Sequence, residues 1–127
     1  MTRERTAEIL RKTAETEISL ALTLDGRGQH DIDTKVAFLD HMLTLFAVHG
    51  FFNLSVSADG DTAVDYHHTV EDVGICLGQA FAKALADKKG VARYGCSYIP
   101  MDESLVRVGV DVSNRPFLHH DAALPDQ

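Results

Sequence analysis

The sequence predicts an α+β fold, with helices packed on one side of a mostly antiparallel sheet. Three observations carry this. Apolar and polar residues alternate in three short windows, apolar residues recur at helical spacing in two longer ones, and Gly/Asp turns punctuate the chain. At 127 residues the chain is long enough to bury one core.

In 17–24, Ile18, Leu20, Leu22 and Leu24 face one way and Ser19, Ala21 and Thr23 the other, which makes a half-buried strand. Residues 25–28 form a turn, and a short strand over 31–34 is expected to complete a hairpin with it. From Phe38 the period changes: Phe38, Leu39, Met42, Leu45 and Phe46 form the apolar stripe of a helix, with Gly50 where a C-terminal glycine belongs. Alternation returns over 52–59, with Phe52, Leu54, Val56 and Ala58 inward, and ends at the Asp59-Gly60-Asp61 turn. A second helix is predicted over 67–88, with a buried stripe of Val70, Val73, Leu77, Ala80, Phe81 and Ala84, and with Glu71 and Asp72 answering its positive end. A loop follows, then a strand over 105–112 with its valines on one face. Residues 102–121 resemble the opening hairpin, as if the unit began again. The expected organisation is therefore a half-domain over 1–97 and the opening hairpin of a second over 98–127.

Twelve basic against nineteen acidic residues give a formal charge of −7, without the clustered Lys/Arg stripe that nucleic acid demands. No apolar run approaches the roughly 18 residues of a membrane span, and the charged N-terminus is no signal peptide. Cys76 and Cys96 form neither a metal-type pair nor a disulfide framework, so a reducing cytoplasm is the expected compartment.

Seven histidines, four of them in adjacent pairs, are a heavy load for this length. The sharpest cluster is Asp65-Tyr66-His67-His68-Thr69-Val70-Glu71-Asp72. On a helix His67 and Glu71 stand one above the other, a spacing at which imidazole and carboxylate hold one metal ion. His68 lies about 100° away around the axis, so two metal positions are expected. Nitrogen and oxygen donors without thiolate point to Mn, Fe or Zn. The plainer reading is that His67 and His68 merely open a helix whose dipole Glu71 and Asp72 answer. On the first helix His41 and His49, about 80° apart, flank the apolar stripe, either as core-edge residues or facing the other histidines. Arg93 and Arg115 stand in Gly/Pro-punctuated loops, as solvated side chains or as bidentate anion ligands. Neither a Ser-His-Asp spacing nor a nucleotide-binding glycine loop is present.

Read in order, Thr13-Ala14-Glu15-Thr16, Phe38-Leu39-Asp40-His41-Met42-Leu43, His49-Gly50, 65–74, Arg93-Tyr94-Gly95, Pro100-Met101-Asp102-Glu103 and Asp111-Val112-Ser113-Asn114-Arg115-Pro116 resemble the imidazoleglycerol-phosphate dehydratase family. The resemblance implies dehydration of imidazole glycerol phosphate to imidazole acetol phosphate in histidine biosynthesis, with two Mn2+ ions. By the same resemblance His67 and Glu71 serve one ion, His41 and His68 the other. Glu15 becomes a substrate-contacting proton-transfer group, the stretch 41–49 lines the substrate site, and Arg93 and Arg115 contact the phosphate. The family fold is a tandem of strand-strand-helix-strand-helix halves, of the type named for the second domain of ribosomal protein S5, in a homo-oligomer of 24 subunits with metal sites at subunit contacts.

The second His-His-x-x-Glu motif of the family, a further histidine and a lysine-rich segment do not occur in these 127 residues, and His119-His120-Asp121 lacks the glutamate. The residues present are thus expected to supply about half the ligands of each ion. Two other readings stand beside the dehydratase: a different di-metal enzyme such as a hydrolase, and an inactive structural half of the fold.

Overall fold

A computed structural model describes residues 3–124. The chain divides into two compact units, Met1–Lys88 and Lys89–Gln127. In the first, β1 (Thr6–Lys12), β2 (Thr16–Thr23), β3 (His30–Asp33) and β4 (Asn53–Gly60) form a sheet of order β1-β2-β4-β3. Helix α1 (Ala37–Gly50) joins β3 to β4, and α2 (His67–Leu85) follows β4. The second unit is a hairpin of β5 (Tyr94–Met101) and β6 (Ser104–Asp111). The mixed α+β class is as expected. No helix is long and apolar enough to cross a membrane among the described residues.

The strands 17–24 and 52–59 largely behave as their alternation predicts. They pair antiparallel, with Leu20 opposite Val56 and Leu22 opposite Leu54, and their inward residues are buried except Phe52, which precedes β4 and is only partly covered. About 25 cal/mol per Å2 of apolar surface makes that face the main source of stability. Helix α2 lies across it, packing on β1 and β2 and touching β4.

The expected hairpin between 17–24 and 31–34 does not form. Both edges of β2 are taken, by β1 and by β4, and β3 runs parallel to β4 on its far side. After β2 the chain is carried over the end of β4. Asn53 Oδ1 accepts the Arg27 and Gln29 N–H groups, and the Gly26 N–H donates to the Phe51 carbonyl. The true hairpin partner is β1, whose pattern is obscured because Arg11 points inward while Leu10 faces solvent. Thr13 makes its turn: its hydroxyl oxygen accepts from the Glu15 and Thr16 N–H groups.

On α1 the buried residues are Leu43 and Ala47, and of the expected apolar stripe Leu39 is partly buried against the core. Phe38 is 74% exposed, and Met42, Leu45 and Phe46 are also exposed. The helix packs on β3 at the sheet edge, so only a narrow face is covered. The left-handed residue after it is Phe51 (φ 57°), not Gly50. Gly50 is needed for another reason: a Cβ there would run into the Phe52 ring, which packs tilted on Phe46 and edge-on to Phe81.

Helix α2 ends at Leu85, three residues early, and its buried face is Thr69, Asp72, Val73, Cys76, Ala80 and Ala84, with Val70 exposed. Asp72 does not answer the dipole; it is buried, taking Thr16 Oγ1 at 2.5 Å and Arg11 Nη2 at 3.3 Å. Gly60 sits directly under Thr69, where a Cβ would collide with the Thr69 hydroxyl. Gly60→Ala is therefore expected to lift the start of α2 from the sheet, lowering stability by about 1–3 kcal/mol in a denaturant titration.

In the second unit, 94–101 is a strand rather than a loop, and its partner is β6 through a turn at Asp102 (φ 50°). The second hairpin thus lies at 94–111 and not over 102–121; residues 112–124 carry no strand. Both faces of the hairpin are exposed, which period-2 alternation does not foretell.

Candidate metal centre

The start of α2 is set by its own sequence. Asp65 Oδ1 accepts the His67 N–H at 2.9 Å, satisfying one of the donors a helix leaves open at its N-terminus. One turn further, His67 Nε2 stands 3.2 Å from Glu71 Oε2, with both side chains more than half exposed. Helical geometry alone makes that pair.

His68 turns elsewhere. Its ring is 5.4 Å from that of His67 and nearly perpendicular to it. Nδ1 lies 2.8 Å from Asp61 Oδ2, in the loop that leaves β4. The hydrogen bond to Asp61 holds the imidazole above its ordinary pKa, Glu15 and Asp65 adding to it at longer range. Asp61 was not legible as a site residue, being seven positions from its partner with no periodic relation to it.

Glu15 arrives from the β1–β2 turn. Its carbonyl accepts the Asp61 N–H at 3.1 Å, which ties the two loops together at one end of the sheet. Thr13 Oγ1 donates to Glu15 Oε2 at 3.2 Å, and Oε1 has no hydrogen bond among the described residues.

His41 and His49 stand exposed on α1 and take part in no hydrogen bond or ion pair among the described residues. The first turn of that helix is held by Asp40, whose carboxylate accepts the Thr34 N–H and hydroxyl.

Arg93 and Arg115 belong to the second unit. Arg93 grips Asp111 with two nitrogens, Nε at 2.7 Å and Nη2 at 3.3 Å, and lies over the Tyr94 ring. Arg115 is exposed, with its N–H donating to Ser113 Oγ. Hydrogen bonding to Arg93, and in smaller part the charge of Arg115, hold the Asp111 carboxyl below its ordinary 3.8. A depressed folded value means that the bridge is whole above 3.8 and is lost as pH falls through the folded pKa. An NMR titration of Asp111 is expected to show its midpoint below 3.8.

The donor chemistry fits a borderline divalent cation, being imidazole and carboxylate without thiolate. The donors come in pairs: no three His, Cys, Asp or Glu side chains gather round one point among the described residues. His67 with Glu71 is the pair whose placement suits a shared ion. His68 instead turns Nδ1 to Asp61.

The fold and this end of the sheet define an α+β protein presenting imidazole–carboxylate pairs suited to metal-assisted chemistry. Residues 34–127 match the sequence profile described as imidazoleglycerol-phosphate dehydratase. The chain is 58% identical over 125 residues to the imidazoleglycerol-phosphate dehydratase of Desulfotalea psychrophila, covering 98% of this chain and 63% of that protein. The dehydratase of Bacillus pumilus is 61% identical, with 97% and 63% covered. The crystal structure of the Staphylococcus aureus dehydratase superposes with a TM-score of 0.82 at 40% identity, over 95% of this chain and 66% of that one. The chain belongs to the imidazoleglycerol-phosphate dehydratase family. It spans 63% of the length of those two sequence relatives.

Proposed function

We propose that the protein takes part in dehydrating imidazole glycerol phosphate to imidazole acetol phosphate and water, a step of histidine biosynthesis, as a Mn2+-dependent lyase. The observation that carries this is the His67–Glu71 pair at 3.2 Å on an open helix face, beside a second histidine turned another way, in a chain of this family. A divalent ion at these donors supplies Lewis-acid stabilisation for charge developing on the imidazole ring of the substrate.

The chain's own residues do the rest. His67 and Glu71 hold one ion through Nε2 and a carboxylate oxygen, and His41 and His68 serve the other. Glu15, steadied at Oε2 by Thr13, keeps Oε1 for moving a proton at the glycerol chain. His49 lines the substrate site, with His41. Arg93 and Arg115 anchor the phosphate away from the reacting carbons, where orientation is gained without disturbing the chemistry. Because the donors come in pairs, the working centre takes further ligands from outside these residues. That agrees with a homo-oligomer, of 24 subunits as in the family resemblance, and we place the protein in the cytoplasm.

The test is an assay of the purified protein with imidazole glycerol phosphate, before and after chelation and with Mn2+ restored. Product formation that chelation abolishes and Mn2+ recovers supports the reading. Chelation-insensitive turnover, or none from the complete metal-loaded enzyme, overturns it.

A further inference from the structure

We propose that Asp61 is the positioning carboxylate of His68, fixing the ring through Nδ1 so that Nε2 is presented as the metal-binding nitrogen. The inference rests on the metal reading above and adds a residue to it.

The geometry has three parts. Asp61 Oδ2 is 2.8 Å from His68 Nδ1, and an ionised carboxylate only accepts, so the proton belongs on Nδ1 and the lone pair on Nε2. A solvated neutral histidine side chain favours the opposite, Nε2–H tautomer, so the choice comes from the partner. Asp61 is itself held at both backbone groups: its N–H donates to the Glu15 carbonyl at 3.1 Å and its carbonyl accepts the Val64 N–H at 2.8 Å. Its side chain is 24% exposed against 44% for His68, with Oδ1 buried and without a hydrogen-bond partner. A rigid, half-buried carboxylate behind a more exposed imidazole orients the ring outward, the arrangement by which carboxylates aim metal-ligating histidines. His67 differs: its Nε2 faces Glu71, and its backbone N–H, not its ring, is what Asp65 holds.

A mere ion pair at the helix start makes different predictions, and two substitutions separate them. Asp61→Ala removes the acceptor; Asp61→Asn keeps an amide oxygen that accepts from Nδ1–H. Calorimetric titration of the metal-free protein with Mn2+ is expected to show one site weakened 10- to 100-fold in Asp61→Ala and largely recovered in Asp61→Asn. Magic-angle-spinning 15N spectra of histidine-labelled, metal-free protein, with His68 assigned by difference from His68→Gln, should show the Nδ1–H tautomer in the parent and its loss in Asp61→Ala. Unchanged Mn2+ affinity and unchanged His68 resonances in Asp61→Ala overturn the proposal. If that variant does not fold, the parent spectrum decides: an Nε2–H tautomer there overturns it. A parent that shows Nδ1–H on His68 yet binds no Mn2+ sinks the metal reading instead, and leaves Asp61 as the residue that sets the tautomer.

Discussion

Glu71→Ala is expected to lower both Mn2+ affinity and dehydratase turnover by on the order of 100-fold or more while leaving the melting temperature nearly unchanged. Losing even a residue that only orients a metal ligand costs roughly 10–100-fold, and Glu71 is proposed above as a direct ligand. Its stability contribution is small because its pairing with His67 is exposed and one turn apart, a type worth about 0.3–0.5 kcal/mol. Calorimetry, the product assay and a thermal scan on one preparation check all three quantities. Retained affinity and turnover in a folded variant would remove Glu71 from the centre. Glu71→Gln, which keeps the shape but not the charge, is expected to fall between. For the same reason the 127 residues alone are expected to bind Mn2+ weakly, since stable sites of this kind use three or more protein donors.

Asp72→Ala, one residue on, should do the opposite. About 100° around the helix from Glu71, Asp72 is 7% exposed and joins α2 to two strands, through Thr16 on β2 and Arg11 on β1. Removing it leaves a half-buried guanidinium, whose Nε is already without a partner, and a buried Thr16 hydroxyl whose remaining partner is Thr13. Breaking such a network costs roughly 3 kcal/mol, or about 10 °C in melting temperature for a domain of this size. Thr16→Val, which removes the hydroxyl's bonds to Asp72 and Thr13 and keeps the shape, is expected to cost about 1–2 kcal/mol. Because an apolar set of similar volume can replace a buried pair, Arg11→Met with Asp72→Leu should regain most of the loss. A thermal midpoint for Asp72→Ala within a degree or two of the parent would show that the network carries no stability.

These neighbours show how far a one-dimensional reading reaches. Period-3.6 geometry is local, so His67 with Glu71, and the separate direction of His68, follow from their spacing. The alternation of 17–24 and 52–59 is equally local and gives two strands with their inward faces. Asp72 reads locally as a charge suited to a helix start, and only its nonlocal partners, 56 and 61 residues earlier in the chain, turn it into a buried anchor.

The α+β class, the central strands, both helices and the histidine-carboxylate pair are legible along the chain, because each is written in contacts a few residues apart. That β1 and not β3 is the hairpin partner of β2 emerges from packing, since a strand's partner depends on which neighbouring edge is free. Packing also decided which face of each helix is covered: the sheet reaches Leu43 and Ala47 on α1 and leaves Phe38 and Met42 in the open. And it brought Asp61 to His68 and the Glu15 backbone to Asp61, because chain reversal at the end of β4 and the Thr13 turn carry residues distant in sequence to one end of the same sheet.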